Sequence, residues 1–154
     1  MRVGDICSRN PSYVTRDVRI LEAARRMRSD HVGDLIVVEE KNGRPFPIGV
    51  LTDRDVVVGV LAHDPKTDPA RSGLLDVGDV IDGTLVSAAE DEDLAPVLRR
   101  MRSFGVRRVP IVDAEGALVG VLSVDDVIPA ISDELAEIGA LVSRQAEWEK
   151  TSRQ

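Results

Sequence analysis

The chain states one pattern twice. Gly4-Asp5-Ile6 returns as Gly78-Asp79-Val80, and Arg26-Met27-Arg28-Ser29 returns as Arg100-Met101-Arg102-Ser103, both at an offset of 74 residues. Past a loop three residues shorter in the second copy, Gly49-Val50-Leu51-Thr52-Asp53-Arg54-Asp55 matches Gly120-Val121-Leu122-Ser123-Val124-Asp125-Asp126 at an offset of 71. An open solenoid needs at least about three stacked units, so a unit present only twice points to a pseudo-symmetric pair closing on itself. A functional site is then expected between the halves.

With 154 residues, 43% of them hydrophobic, the chain can bury an ordinary core. That core must be aliphatic, because aromatics are only 3%. The formal charge of −7 disfavours a nucleic acid or a membrane surface as partner. The basic clusters at Arg25, Arg26 and Arg28 and at Arg99, Arg100 and Arg102 read as solvated helix faces. Cys7 is the single cysteine, which rules out an intramolecular disulfide and fits a reducing compartment. With no signal-peptide pattern after Met1 and no run of ~20 apolar residues, the expected location is the cytoplasm.

Each copy reads as strand, helix, strand, strand, helix, an α/β (α+β) arrangement. Tyr13-Val14-Thr15 is extended. Val18, Leu21, Ala24 and Met27 are expected on one face of the first helix, and Leu94, Val97, Leu98 and Met101 on its counterpart, with Pro96 in the first turn. Asp34 to Val38 and Arg108 to Val112 then lead through Asn42-Gly43 and Glu115-Gly116 into Ile48 to Leu51 and Leu118 to Leu122, two hairpins. The closing helices start at Thr52 and Ser123 and carry Val56, Val57 and Val60 in one copy and Val127, Ile128 and Ile131 in the other. Pro110 implies an edge or bulged strand, and Pro129 a short or kinked helix. The expected division is a first repeat over 1–62, a linker over 63–75, a second repeat over 76–131 and a C-terminal helix over 132–154, opened by Ser132-Asp133-Glu134 and bearing Leu135, Ile138 and Val142.

The chemistry is concentrated where a buried strand ends in glycine, two aliphatics, a hydroxyl residue and, three positions on, an aspartate. A capping box accounts for Thr52 with Asp55 and for Ser123 with Asp126. It does not account for a strand feeding a helix without a loop, which sets free helix N–H groups at the sheet's carboxyl edge, where a phosphate binds well. An aspartate one turn in can accept from a ribose diol. His31, His63 and Cys7 lack metal-ligand spacing, and neither a nucleophile elbow nor a Walker-type loop is present, so no metal site and no catalytic set are expected.

The doubled Gly-aliphatic-aliphatic-Thr/Ser-x-x-Asp, each behind a Val-rich strand and a Met-ended helix, resembles the cystathionine beta-synthase (CBS) domain pair, or Bateman module, over residues 4 to 131, in a stand-alone bacterial-type form. The resemblance implies clefts between the copies that take adenosine-containing ligands such as AMP, ADP, ATP or S-adenosylmethionine. By position it implies Asp55 and Asp126 on ribose hydroxyls, Thr52 and Ser123 on phosphate or ribose, and Val14, Thr15, Ile36, Val86, Ser87 and Pro110 around the base. Arg54, Arg107 and Arg108 are phosphate candidates, because guanidinium forks suit phosphate oxygens. Val124 is read against Arg54, so the two clefts are expected to differ. The functional expectation is a regulatory module sensing adenine nucleotides, homodimeric, with a separate effector protein. A non-binding assembly protein and a detached subunit of an enzyme or transporter are the alternatives.

Overall fold

The computed structural model describes residues 1–62, 75–81 and 83–152. Most of the expected linker, including His63, lies outside them. Two three-stranded sheets form, each with a short parallel strand beside an antiparallel hairpin. In the first, β1 (Tyr13–Thr15) runs parallel to β2 (Asp34–Lys41), which pairs with β3 (Arg44–Thr52). In the second, β4 (Ala88–Ala89) runs parallel to β5 (Arg108–Val112), which pairs with β6 (Leu118–Ser123). Helices α2 (Ile20–Asp30) and α5 (Leu94–Phe104) cross between the parallel strands.

The first hairpin turns on Asn42 and Gly43, both at positive φ (54° and 72°), as a two-residue type I′ turn requires. Each central strand carries a bulge at the same repeat position, Val37/Val38 and Ile111/Val112. Pro110 sits one residue before the second bulge, in the middle strand rather than at an edge. Its effect falls on the neighbouring strand instead. Ile36 N–H donates to the Ser12 carbonyl at 3.1 Å. Pro110 occupies the matching position without an N–H, and β4 is one residue shorter than β1.

Helix α5 buries Leu94, Val97 and Met101, with Leu98 partly covered, as its spacing predicts. Helix α2 differs. Its buried positions are Ile20, Ala23 and Met27, and Leu21 is exposed, so the stripe is rotated by one residue from the expected face. The helix ends also contrast: α5 closes on Gly105 and α2 on His31, both left-handed.

The short helices that open each copy are exchanged between units. Helix α1 (Val3–Ile6) places Val3 in the second unit's core, and Val3 and Gly4 N–H donate to the Glu92 and Glu90 carbonyls at 3.0 Å. Helix α4 (Val77–Val80) places Val77 in the first unit's core, and Val77 and Gly78 N–H donate to the Val18 and Arg16 carbonyls at 2.8 Å. Glycine is needed at these crossings. A Cβ on Gly4 would lie 2.6 Å from the Glu90 carbonyl oxygen. Between the sheets, Ile36, Val38 and Leu118 form a third small core against Tyr13, Val50 and Val121.

The closing helices diverge most. In the first copy, α3 (Asp53–Asp55) runs into a π-helical stretch, Val56–Leu61. Three successive β-branched residues followed by Gly59 give α-winding little local support there. In the second copy, α6 (Val124–Ser152) is one 29-residue helix. The separate start expected at Ser132 does not occur. Pro129 is accommodated inside α6, and Ser132 Oγ donates to the Ile128 carbonyl at 2.8 Å. Only the first turns touch the core, through Val127 and Val124, while residues 131–145 are exposed throughout. Val57, Ile128 and Ile131, among the apolar residues that the closing helices carry, are exposed too.

Candidate functional site

Strands β3 and β6 run directly into α3 and α6, so Thr52 and Ser123 are extended N-cap residues at their sheets' carboxyl edges. In the first cap, Thr52 N–H and Oγ1 donate to Asp55 Oδ2 at 2.9 and 2.7 Å, and Asp55 N–H returns a bond to Oγ1 at 3.1 Å. The second repeats this closely. Ser123 N–H and Oγ donate to Asp126 Oδ2 at 2.8 and 2.6 Å, and Asp126 N–H donates to Oγ at 3.2 Å. Both reciprocal capping boxes therefore exist. They use one carboxylate oxygen and leave Oδ1 as the acceptor for a further donor, so capping and ribose binding are compatible on the same aspartate.

A cleft of about 190 Å³ opens at the second cap. Its second-copy wall is Arg108, Val121, Ser123 and Asp126, and its first-copy wall includes Pro11, Ser12, Val32, Asp34 and Ile36. Ser12 is held in place by donating to Asp30 Oδ2 at 2.9 Å. That bond, with one from Ser29, keeps the Asp30 carboxyl below its ordinary range. A second, shallower groove of about 400 Å³ shares Asn10, Pro11 and Ser12 and continues past Tyr13, Arg9 and Arg26.

Of the sequence-predicted residues, Ile36, Arg108, Ser123 and Asp126 meet in this cleft. Val14 does not: it is buried in the first unit's core. Thr15 ends β1, and its hydroxyl bonds to the Asp17 carboxylate and lowers that group's pKa. The 74-residue offset explains the displacement, because it pairs Val86 and Ser87 with Ser12 and Tyr13 rather than with Val14 and Thr15. Val86 and Pro110 are buried and Ser87 half-buried, and neither they nor Thr52 and Asp55 line this cleft.

The basic candidates fall in three different settings. Arg54 is exposed on α3 and makes no ion pair among the described residues. Arg107 is exposed, 4.0 Å from Asp125. Arg108 Nη1 donates to Asp34 Oδ1 across the interface between the repeats. The matching caps also correct one comparison. Counting from Thr52 and Ser123, Arg54 stands opposite Asp125, and Val124 stands opposite Asp53. The asymmetry between the two caps is a reversal of charge rather than the loss of one.

Asp34 is the residue that the sequence reading missed. It is Arg108's own equivalent at the 74-residue offset, so the pair straddles the pseudo-two-fold axis. Its side chain is only 14% exposed. Burial pushes its carboxyl above the usual carboxylate range, with Arg108 pulling the other way and Asp53 adding to the rise.

The comparisons agree with this fold. The sequence matches the CBS domain over residues 3–61 and again over 77–133. The CBS domain-containing protein YhcV of Bacillus subtilis is 31% identical over 135 residues, covering 87% of this chain and 89% of that protein. An uncharacterized protein of Methanopyrus kandleri is 28% identical over 82% of this chain, which spans only 60% of that relative's length. Among solved structures, the CBS domain pair of protein MJ0100 in complex with 5′-methylthioadenosine and S-adenosyl-L-methionine superposes with a TM-score of 0.71, at 22% identity over 87% of this chain and 98% of that one. CBSX2 in complex with AMP gives 0.71 at 23% identity, over 86% and 96% of the two chains. With two sequence matches falling on the two structural units, the chain belongs to the CBS domain family as a tandem pair.

Proposed function

We propose that the protein is a cytoplasmic, non-catalytic sensor that binds an adenosyl ligand between its repeats and passes that state to a separate effector. One observation carries this reading: the cleft joins the Ser123–Asp126 cap of one unit to Pro11, Ser12 and Ile36 of the other. A ligand there touches both halves and shifts their relative position by its differential contacts with the two arrangements. Structural neighbours hold AMP, or 5′-methylthioadenosine and S-adenosyl-L-methionine, which supports the adenosyl class. Asp126 Oδ1 supplies the ribose acceptor, and Ile36 an apolar surface for the base. The cap aspartates are taken up by capping and ribose, so neither serves as a general base for water.

Calorimetry on folded Asp126→Ala and Asp55→Ala proteins tests the reading. Loss of one charge-assisted bond of ~1.5 to 3 kcal/mol lowers affinity at that site roughly 10- to 150-fold. The cleft with Arg54 is expected to favour more phosphates than the one with Asp125. In a thermal-shift screen, ligand at about 100 times Kd adds ~2.7 kcal/mol of stability. Unchanged binding in both variants, or no stabilising ligand, would leave a purely structural module.

The same reading includes a homodimer. Ile128, Ile131, Leu135, Ile138 and Val142 follow alternating three- and four-residue steps along α6 and are all exposed. That is the spacing of a helix seam, and a second copy of α6 is a partner with matching spacing. Leu135→Asp is expected to shift a sedimenting dimer to monomer. A wild-type monomer at micromolar concentration, with and without nucleotide, would remove this part of the proposal.

A further inference from the structure

The charges lining the cleft are not those of a phosphate site. Arg108 is its one basic side chain, and its guanidinium is already paired with Asp34, while Asp126 adds a second carboxylate. Asp53 acts on Asp34 from α3, and Asp125 occupies the cap position where the first copy has Arg54. Counting only the lining residues, two carboxylates face one guanidinium, a net charge of −1. A phosphate entering here must take Arg108 from Asp34 and leave a largely buried carboxylate without its partner, which is strongly unfavourable.

Building on the adenosyl reading above, we infer that Asp34 is a specificity-determining residue: held against Arg108, it occupies the guanidinium that a phosphate would need, so the Asp126 cleft selects adenosyl ligands with an uncharged or cationic 5′ substituent over nucleotides. The two clefts of one molecule then differ in the class of ligand they take. The Asp34–Arg108 pair itself arises from the repeat, because one strand-start position, acidic in one copy and basic in the other, meets itself across the pseudo-two-fold axis.

The test uses the full chain carrying Asp55→Ala, which weakens the other cleft, with and without Asp34→Asn. AMP, 5′-methylthioadenosine and S-adenosylmethionine are titrated by calorimetry at fixed ionic strength. In the Asp55→Ala protein, the thioether and sulfonium ligands are expected to bind at least roughly tenfold tighter than AMP, and Asp34→Asn is expected to close that gap by roughly tenfold, with the gain in AMP affinity. Asp34→Glu, which keeps the charge, should preserve the preference. Melting curves confirm that each variant is folded. Equal affinities in the Asp55→Ala protein, or a gap unchanged by Asp34→Asn, would overturn the inference while leaving adenosyl binding intact. Binding of none of the three compounds would instead bring down the adenosyl reading and this inference with it.

Discussion

Thr52 to Leu61 and Ser123 to Ser152 begin with the same apparatus and end as different structures. Both open with a reciprocal cap whose bonds agree within about 0.1 Å. One then winds into six π-helical residues, and the other into a 29-residue helix. The residue two past the cap is Arg54 in one and Asp125 in the other. The cap is a local i to i+3 device that any flanking sequence can keep, so the geometry persists while charge and length are free to diverge.

The largest effect that would sharpen this comparison is expected at paired glycines. A Cβ on Gly120 would come within 2.8 Å of both Cys7 Sγ and the Ser8 carbonyl oxygen, whereas one on Gly49 would meet the tip of Ile81 at 3.1 Å. A side-chain tip can turn aside and a backbone carbonyl cannot. Gly120→Ala is expected to cost about 2 to 3 kcal/mol in denaturant unfolding and Gly49→Ala about 1 or less. Equal losses would mean that the two crossings are packed alike.

The caps come next. Thr52→Ala and Ser123→Ala are each expected to lower stability by about 1 kcal/mol, with Ser123 the costlier because its site is buried. A smaller, opposite effect is expected at the helix ends. His31 holds φ at 55°, where α5 uses Gly105, so His31→Gly should raise stability by up to about 1 kcal/mol. A loss would show that the imidazole makes a contribution that outweighs its backbone conformation.

The mildest test concerns pH. Because Asp34 titrates above the usual carboxylate range, the folded state holds its proton more tightly than the unfolded chain. Its contribution is therefore fully present below the unfolded value of about 3.9 and is lost as pH rises through the folded value. Carboxyl NMR should place Asp34 above ordinary aspartates, and Arg108→Gln should move it further up. A normal or lowered titration would show that the guanidinium outweighs burial.

Sequence periodicity revealed what is local: the repeat, the Asn42-Gly43 turn, the α5 stripe and both caps. It did not reveal which core a short helix enters, since Val3 and Val77 look alike whether they pack at home or across the interface. The resemblance puts Val14 beside the base, whereas the repeat offset pairs Val86 with Ser12, the residue that does line the cleft. Asp34 was overlooked because an acidic residue at a strand start carries no signal until its pseudo-symmetric partner turns out to be a base.

The exchange of α1 and α4 has a consequence in time. As synthesis proceeds, α1 emerges well before the Glu90 and Glu92 carbonyls that receive it, which lie more than 80 residues downstream. The first unit likewise lacks Val77 until its linker has been made. Neither half can close before most of the chain exists, so folding is expected to be slow for a domain of this length and concerted across both repeats. Cutting the gene between the repeats should yield two fragments that stay incomplete apart and recover together when mixed.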